Sequence, residues 1–124
     1  MKKISLMLLI SLNISCSAVA KPSSLCKGDE ESLACIRSTS ILINNEMKKI
    51  ILNIEKSIEN KAKFQVSQSK WLVYRSAYCR DFLGEEAAYA QGDGTAKIIE
   101  SCQLNIDKNR LVELQKLNKV YSGF

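Results

Sequence analysis

The chain contains no histidine in 124 residues. That removes the usual general base, the commonest metal ligand and every catalytic triad built on imidazole. Proline occurs once, at Pro22, and no Cys-x-x-Cys pair is present, so neither a zinc site nor a thioredoxin-type redox motif is supported. There is no P-loop, and Gly92-x-Gly94 alone is too little for a dinucleotide fingerprint. Glu85 and Glu86 are paired carboxylates, but adjacent residues on a helix point about 100° apart, which reads as surface charge and not as a glycosidase pair. The composition thus predicts no enzyme: no catalytic residue, no cofactor and no metal.

What is present begins with an N-terminal leader. Lys2 and Lys3 precede a mostly apolar stretch too short to span a bilayer, and Ala18-Val19-Ala20 is a small-residue cleavage site. Residues 1–20 are expected to be a secretory signal peptide, followed by one domain over 21–124. A lipoprotein anchored through Cys16 is the weaker alternative, because Asn13 stands where a lipobox wants an apolar residue. The expected location is periplasmic or secreted, with no membrane span after cleavage. Loss of Lys2 and Lys3 would leave 16 basic against 13 acidic residues, a net charge of +3. Lysines and glutamates are interspersed, so the chain offers no clustered basic stripe for nucleic acid.

From Asp29 to Leu83 there is neither glycine nor proline, which predicts helix throughout. Asp29 is the expected N-cap, with Glu30 and Glu31 in the first turn. Ile43, Met47, Ile50, Ile51, Ile54 and Ile58 then form one apolar stripe at helical spacing. Phe64, Trp71, Tyr78 and Phe82 cluster out of phase with that stripe, so a helix–helix connection is expected in the polar stretch 59–63. A second helix over 64–89 and a third over 96–121 flank the loop Gln91-Gly92-Asp93-Gly94-Thr95. In that loop the glycines can take positive φ and Thr95 can cap the last helix. Leu104, Leu111, Leu114 and Val120 carry the apolar surface of the third helix. The fold class is all-α: a small antiparallel bundle of about three helices stapled by two disulfides.

Cleavage after Ala20 would leave Cys26, Cys35, Cys79 and Cys102, an even number in a short exported chain. In a hairpin around the Gly92–Gly94 loop, Cys79 and Cys102 have their midpoint near residue 90 or 91, close to the turn, and are expected to bond. Cys26–Cys35 is then the remaining pair, with nested and crossed connectivities still open. Trp71, Tyr74 and Tyr78 are expected to pack in the core, and Arg75 to hold an acid or helix-end carbonyls. The segment from Glu85 to Thr95 is the part most free to carry function, since loops on rigid scaffolds often do.

The set Trp71-x-x-Tyr74-Arg75-x-x-x-Cys79, a Gly-rich turn, then Cys102 with Arg110 eight residues on, resembles the N-terminal domain of the lysozyme inhibitor LprI family. Cys26 and Cys35 also fit that family's paired cysteines. Two features depart from its pattern: Ser76 follows the Tyr-Arg pair where an acid is common, and the turn reads Gly92-Asp93-Gly94-Thr95. The resemblance implies a compact helical exported protein in which Trp71, Tyr74, Arg75, Gly92, Gly94 and Arg110 are mainly structural. It also implies a protein partner of the peptidoglycan-hydrolase class, such as lysozyme. Glu85, Glu86 and Asp93 are the candidate partner-binding residues, local acids able to reach a cationic cleft. Two alternatives share the same attributes: an immunity protein that neutralises a toxin delivered to the periplasm, and an envelope stress or assembly factor.

Overall fold

The computed structural model describes residues 32–122. The expected signal peptide, Cys16, the Asp29 cap and the Cys26 half of the Cys26–Cys35 pair lie outside the described residues. Four α-helices and one π-helical segment follow in chain order: α1 Leu33–Ser57, α2 Lys61–Ser76, the π-helical Ala77–Phe82, α3 Leu83–Glu86 and α4 Gly94–Ser122. The segment from α2 through α3 is one continuous rod, so the architecture is three rods, and no strand occurs among the described residues.

Helix α1 is capped by Ser32, whose hydroxyl accepts from the Cys35 N–H at 3.2 Å. The first helix thus starts after the expected Asp29 cap, and a serine hydroxyl closes its first turn. Its apolar stripe is buried as the periodicity requires: Ile36, Ile43, Met47, Ile50 and Ile54. Helix α4 answers with Leu104, Leu111 and Leu114, while Val120 is exposed beyond the end of this contact. Phe64, Trp71 and Leu117 pack against the edge of the cluster. Each of Ile43, Ile54 and Leu114 is removed from water almost entirely, worth about 1.5–3 kcal/mol apiece in burial.

Cross-links fix the directions of the rods. Arg37 donates to Glu100 and Asn44 donates to Asp107, both across a separation of 63 residues, so α1 and α4 run parallel. Trp71 meets Arg110, Arg75 meets Asp107, and Cys79 is bonded to Cys102. These three pairs share a centre at residues 90–91, so the middle rod runs antiparallel to α4 in the register expected from the loop. The Cys79–Cys102 Cα atoms are 5.6 Å apart, within ordinary disulfide reach.

The middle rod differs from expectation at both ends. It begins at Lys61, because the break falls at residues 58–60, where Ile58 leaves α1 with extended backbone. It ends at Glu86 in place of Tyr89: the Ala87 N–H still bonds Leu83 O, and then short turns take over. The last helix starts at Gly94, two residues before the expected Ala96. Of the two loop glycines only Gly92 has positive φ, at 62°. Gly94 serves a different need, since a Cβ there would stand 3.0 Å from the Ala90 Cβ.

A candidate partner-binding tip

The tip where the middle rod turns into α4 is held from several sides. Below it, the disulfide joins the rods. Gly84 is buried against Ile99, with an added Cβ only 3.0 Å from the Ile99 Cδ1, so the absence of a side chain permits this close approach. Thr95 does not cap α4 through its side chain as expected. Its hydroxyl instead donates 2.8 Å to the Ala87 carbonyl and ties the two sides of the turn together. The Ala90 N–H bonds Ala87 O, and the Gly94 N–H bonds Gln91 O. Satisfied backbone groups make this a shaped turn in which side chains can be presented without further ordering.

The three candidate acids are all exposed on this tip. Glu85 and Glu86 make no ion pair among the described residues. Asp93 is partly neutralised by Lys97, whose Nζ stands 3.4 Å from its carboxylate. Between them Tyr89 is 87% exposed, the most open of the large hydrophobic side chains among the described residues. Tyr89 was not among the residues singled out from the sequence. Its signal was a lone aromatic among Ala87, Ala88 and Ala90, a placement that no small-residue turn needs for packing. Acids around an exposed aromatic form an arrangement that can contact a basic protein, because tyrosine supplies a rigid amphipathic anchor.

The motif residues divide into two groups. Arg75 forms a fork-shaped ion pair with Asp107: Nε donates 2.6 Å to Oδ1 and Nη2 donates 2.7 Å to Oδ2. Asp107 is fully buried, and Asn44 from α1 donates a third, longer bond of 3.4 Å. One carboxylate thus joins all three rods, and the expected structural role of Arg75 acquires its acid. Arg110 lies 5.7 Å from the centre of the Trp71 ring and donates 2.7 Å to Glu113, a cation–π contact beside the core.

Tyr74 and Tyr78, expected in the core, are instead exposed. The Tyr74 and Tyr78 rings stack on one another at 6.0 Å, and Tyr78 lies 6.0 Å from Phe82. Tyr74 stands on the side of α2 that faces away from the core, whereas Tyr78 and Phe82 fall in the π-helical turn, which with more residues per turn after Ser76 carries Cys79 inward to its disulfide and leaves their rings outside. Among the described residues no group of three acidic or cysteine side chains is placed to hold a metal ion. Nor, among the described residues, is any helix long and apolar enough to cross a membrane.

No curated protein and no solved structure matches the chain. A family model does, that of the lysozyme inhibitor LprI, over residues 26–114. The matched span takes in the buried α1 stripe, the Trp71–Arg75 motif, both described disulfide partners and the tip. With well over half of its length matched, the chain belongs to the lysozyme inhibitor LprI family.

Proposed function

We propose that the protein is an exported, non-catalytic binding protein that inhibits a peptidoglycan-cleaving enzyme of the lysozyme type by inserting its acidic tip into the enzyme's cationic cleft. The observation that carries this reading is the exposed set Glu85, Glu86, Tyr89 and Asp93 on a turn braced by a disulfide and by the Thr95–Ala87 bond. The family supports the class of target. The tip supplies the chemistry: the exported chain would carry a net charge of +3, yet Glu85, Glu86 and Asp93 stand together where a basic partner can reach them. Complementary charge speeds encounter, and an exposed aromatic gives the contact an anchor. Inhibition then acts by occlusion, and the enzyme is blocked without any bond being made or broken.

The test is hydrolysis of peptidoglycan by a basic lysozyme with the oxidised protein added in increasing amounts. Saturable inhibition is expected from the wild type. The variant carrying Glu85→Gln, Glu86→Gln and Asp93→Asn is expected to keep its helix content and lose the inhibition. Equal inhibition by that variant would remove the tip from the mechanism.

A further inference from the structure

The middle rod carries a charge distribution that the tip does not use. From residue 61 to residue 80 there are five cations, Lys61, Lys63, Lys70, Arg75 and Arg80, and no acid. Arg75 is spent on Asp107. Lys61, Lys63 and Lys70 are exposed and have no carboxylate within ion-pair distance among the described residues. Two of them stand in the first turn of α2, the end at which a helix dipole disfavours cations, and no side chain caps that turn. This placement works against the stability of the helix.

The same helix buries no residue. Its outward side bears Val66 and Val73, seven residues apart and therefore on one face, with Tyr74 beside them. Val73 is 69% and Tyr74 55% exposed. Lys63 and Lys70 fall on the same side of the helix, within about 60° of Val66 at 100° per residue. Apolar and aromatic side chains interleaved with long lysines suit an interface that is oily below and anionic above. Lysine stems lie along the apolar layer while their ammonium groups reach phosphate. A second copy meeting the same face would set lysine against lysine, so charge argues against a symmetric dimer here.

We infer that the outward face of α2 is a docking site for an anionic lipid surface, with Val66, Val73 and Tyr74 entering the interface and Lys63 and Lys70 engaging lipid phosphates. The helix lies flat on the surface along its 16 residues. The field that attracts α2 repels Glu85, Glu86 and Asp93, so the tip is held off the lipid and stays open to a protein. This site does not depend on lysozyme inhibition.

The experiment is co-sedimentation of the oxidised protein with vesicles of phosphatidylcholine alone and with vesicles containing phosphatidylglycerol, at low and at high salt. Binding is expected only to the anionic vesicles and is expected to fall with salt. Replacing Lys63 or Lys70 by Gln should weaken it by about fivefold each, Val73→Asp should abolish it, and the tip variant should bind as the wild type does. Circular dichroism of each variant separates lost binding from lost fold, since these side chains are exposed. Equal sedimentation with neutral vesicles, undiminished binding by the lysine variants, or sedimentation of protein without vesicles would each overturn the inference. Binding to soluble polyglutamate but not to anionic vesicles would also overturn it, in favour of an acidic protein partner.

Discussion

Replacing Arg75 by Met tests the ion pair on which the three rods converge. The substitution keeps much of the side-chain length and removes both charge-assisted bonds to Asp107, now at 2.6 and 2.7 Å. The carboxylate left behind has no exposure to water and keeps only the Asn44 contact at 3.4 Å. Removing one partner of a buried pair costs about 3–5 kcal/mol, chiefly because the other charge is left uncompensated. The Arg75 side chain is 20% exposed, so the pair is not fully dry and the lower end, about 3 kcal/mol, is expected. Against a total stability of about 5–15 kcal/mol this is a large fraction. It should lower Tm by roughly 12–24 °C, at ~4–8 °C per kcal/mol for a domain of this size. Urea unfolding followed by circular dichroism, with the disulfide intact, measures it. The double variant Arg75→Met with Asp107→Leu should recover most of the loss, because the stranded charge goes too. A single variant within about 1 kcal/mol of wild type, or a double variant no better than the single, would refute the reasoning.

Gly92→Ala should cost about 1–2 kcal/mol by thermal melt, since φ is 62° there and no atom crowds the site, while Gly92→Asn should cost less. Converting Cys79 and Cys102 to Ala removes a cross-link spanning 23 residues and should cost about 3.5 kcal/mol in urea unfolding, on the chain-entropy model. The Arg37 guanidinium donates to Glu100 and holds its carboxyl below the usual carboxylate range. The folded state therefore keeps this group ionised to lower pH than the unfolded chain does, so its contribution is present above the usual glutamate range and is lost as pH falls below it. Glu100→Gln should flatten the acid limb of Tm against pH slightly, since both side chains are partly solvated.

Much of this arrangement is legible in the residues. The Ile43–Ile54 spacing identifies the buried face of α1 because helical period and burial coincide there. The register of the middle rod against α4 follows from the midpoint of Cys79 and Cys102 at residues 90–91, close to the Gly92 turn. The expectation that Tyr74 and Tyr78 pack in the core rests on the large area that aromatics bury beside a disulfide, and both are exposed. The π-helical turn changes the angle per residue, and nothing local in Ala77–Phe82 announces it. Asp107 was missed for another reason: a single aspartate in a polar stretch of helix looks like surface until its partner across the hairpin is known. Ser32 and Thr95 show how small hydroxyls choose among nearby backbone groups, which sequence spacing alone leaves undecided. The adjacency of Glu85 and Glu86 places them at the surface, and the small neighbours of Tyr89 were the one sequence signal for its exposure.

Hydrogen exchange of the oxidised protein, alone and with an excess of a basic lysozyme, tests the central claim most directly. The account predicts slowed exchange confined to the turn between Glu85 and Thr95, with α1 and the outward face of α2 unchanged. Unchanged exchange everywhere, or protection on α2 with the turn unaffected, would contradict it.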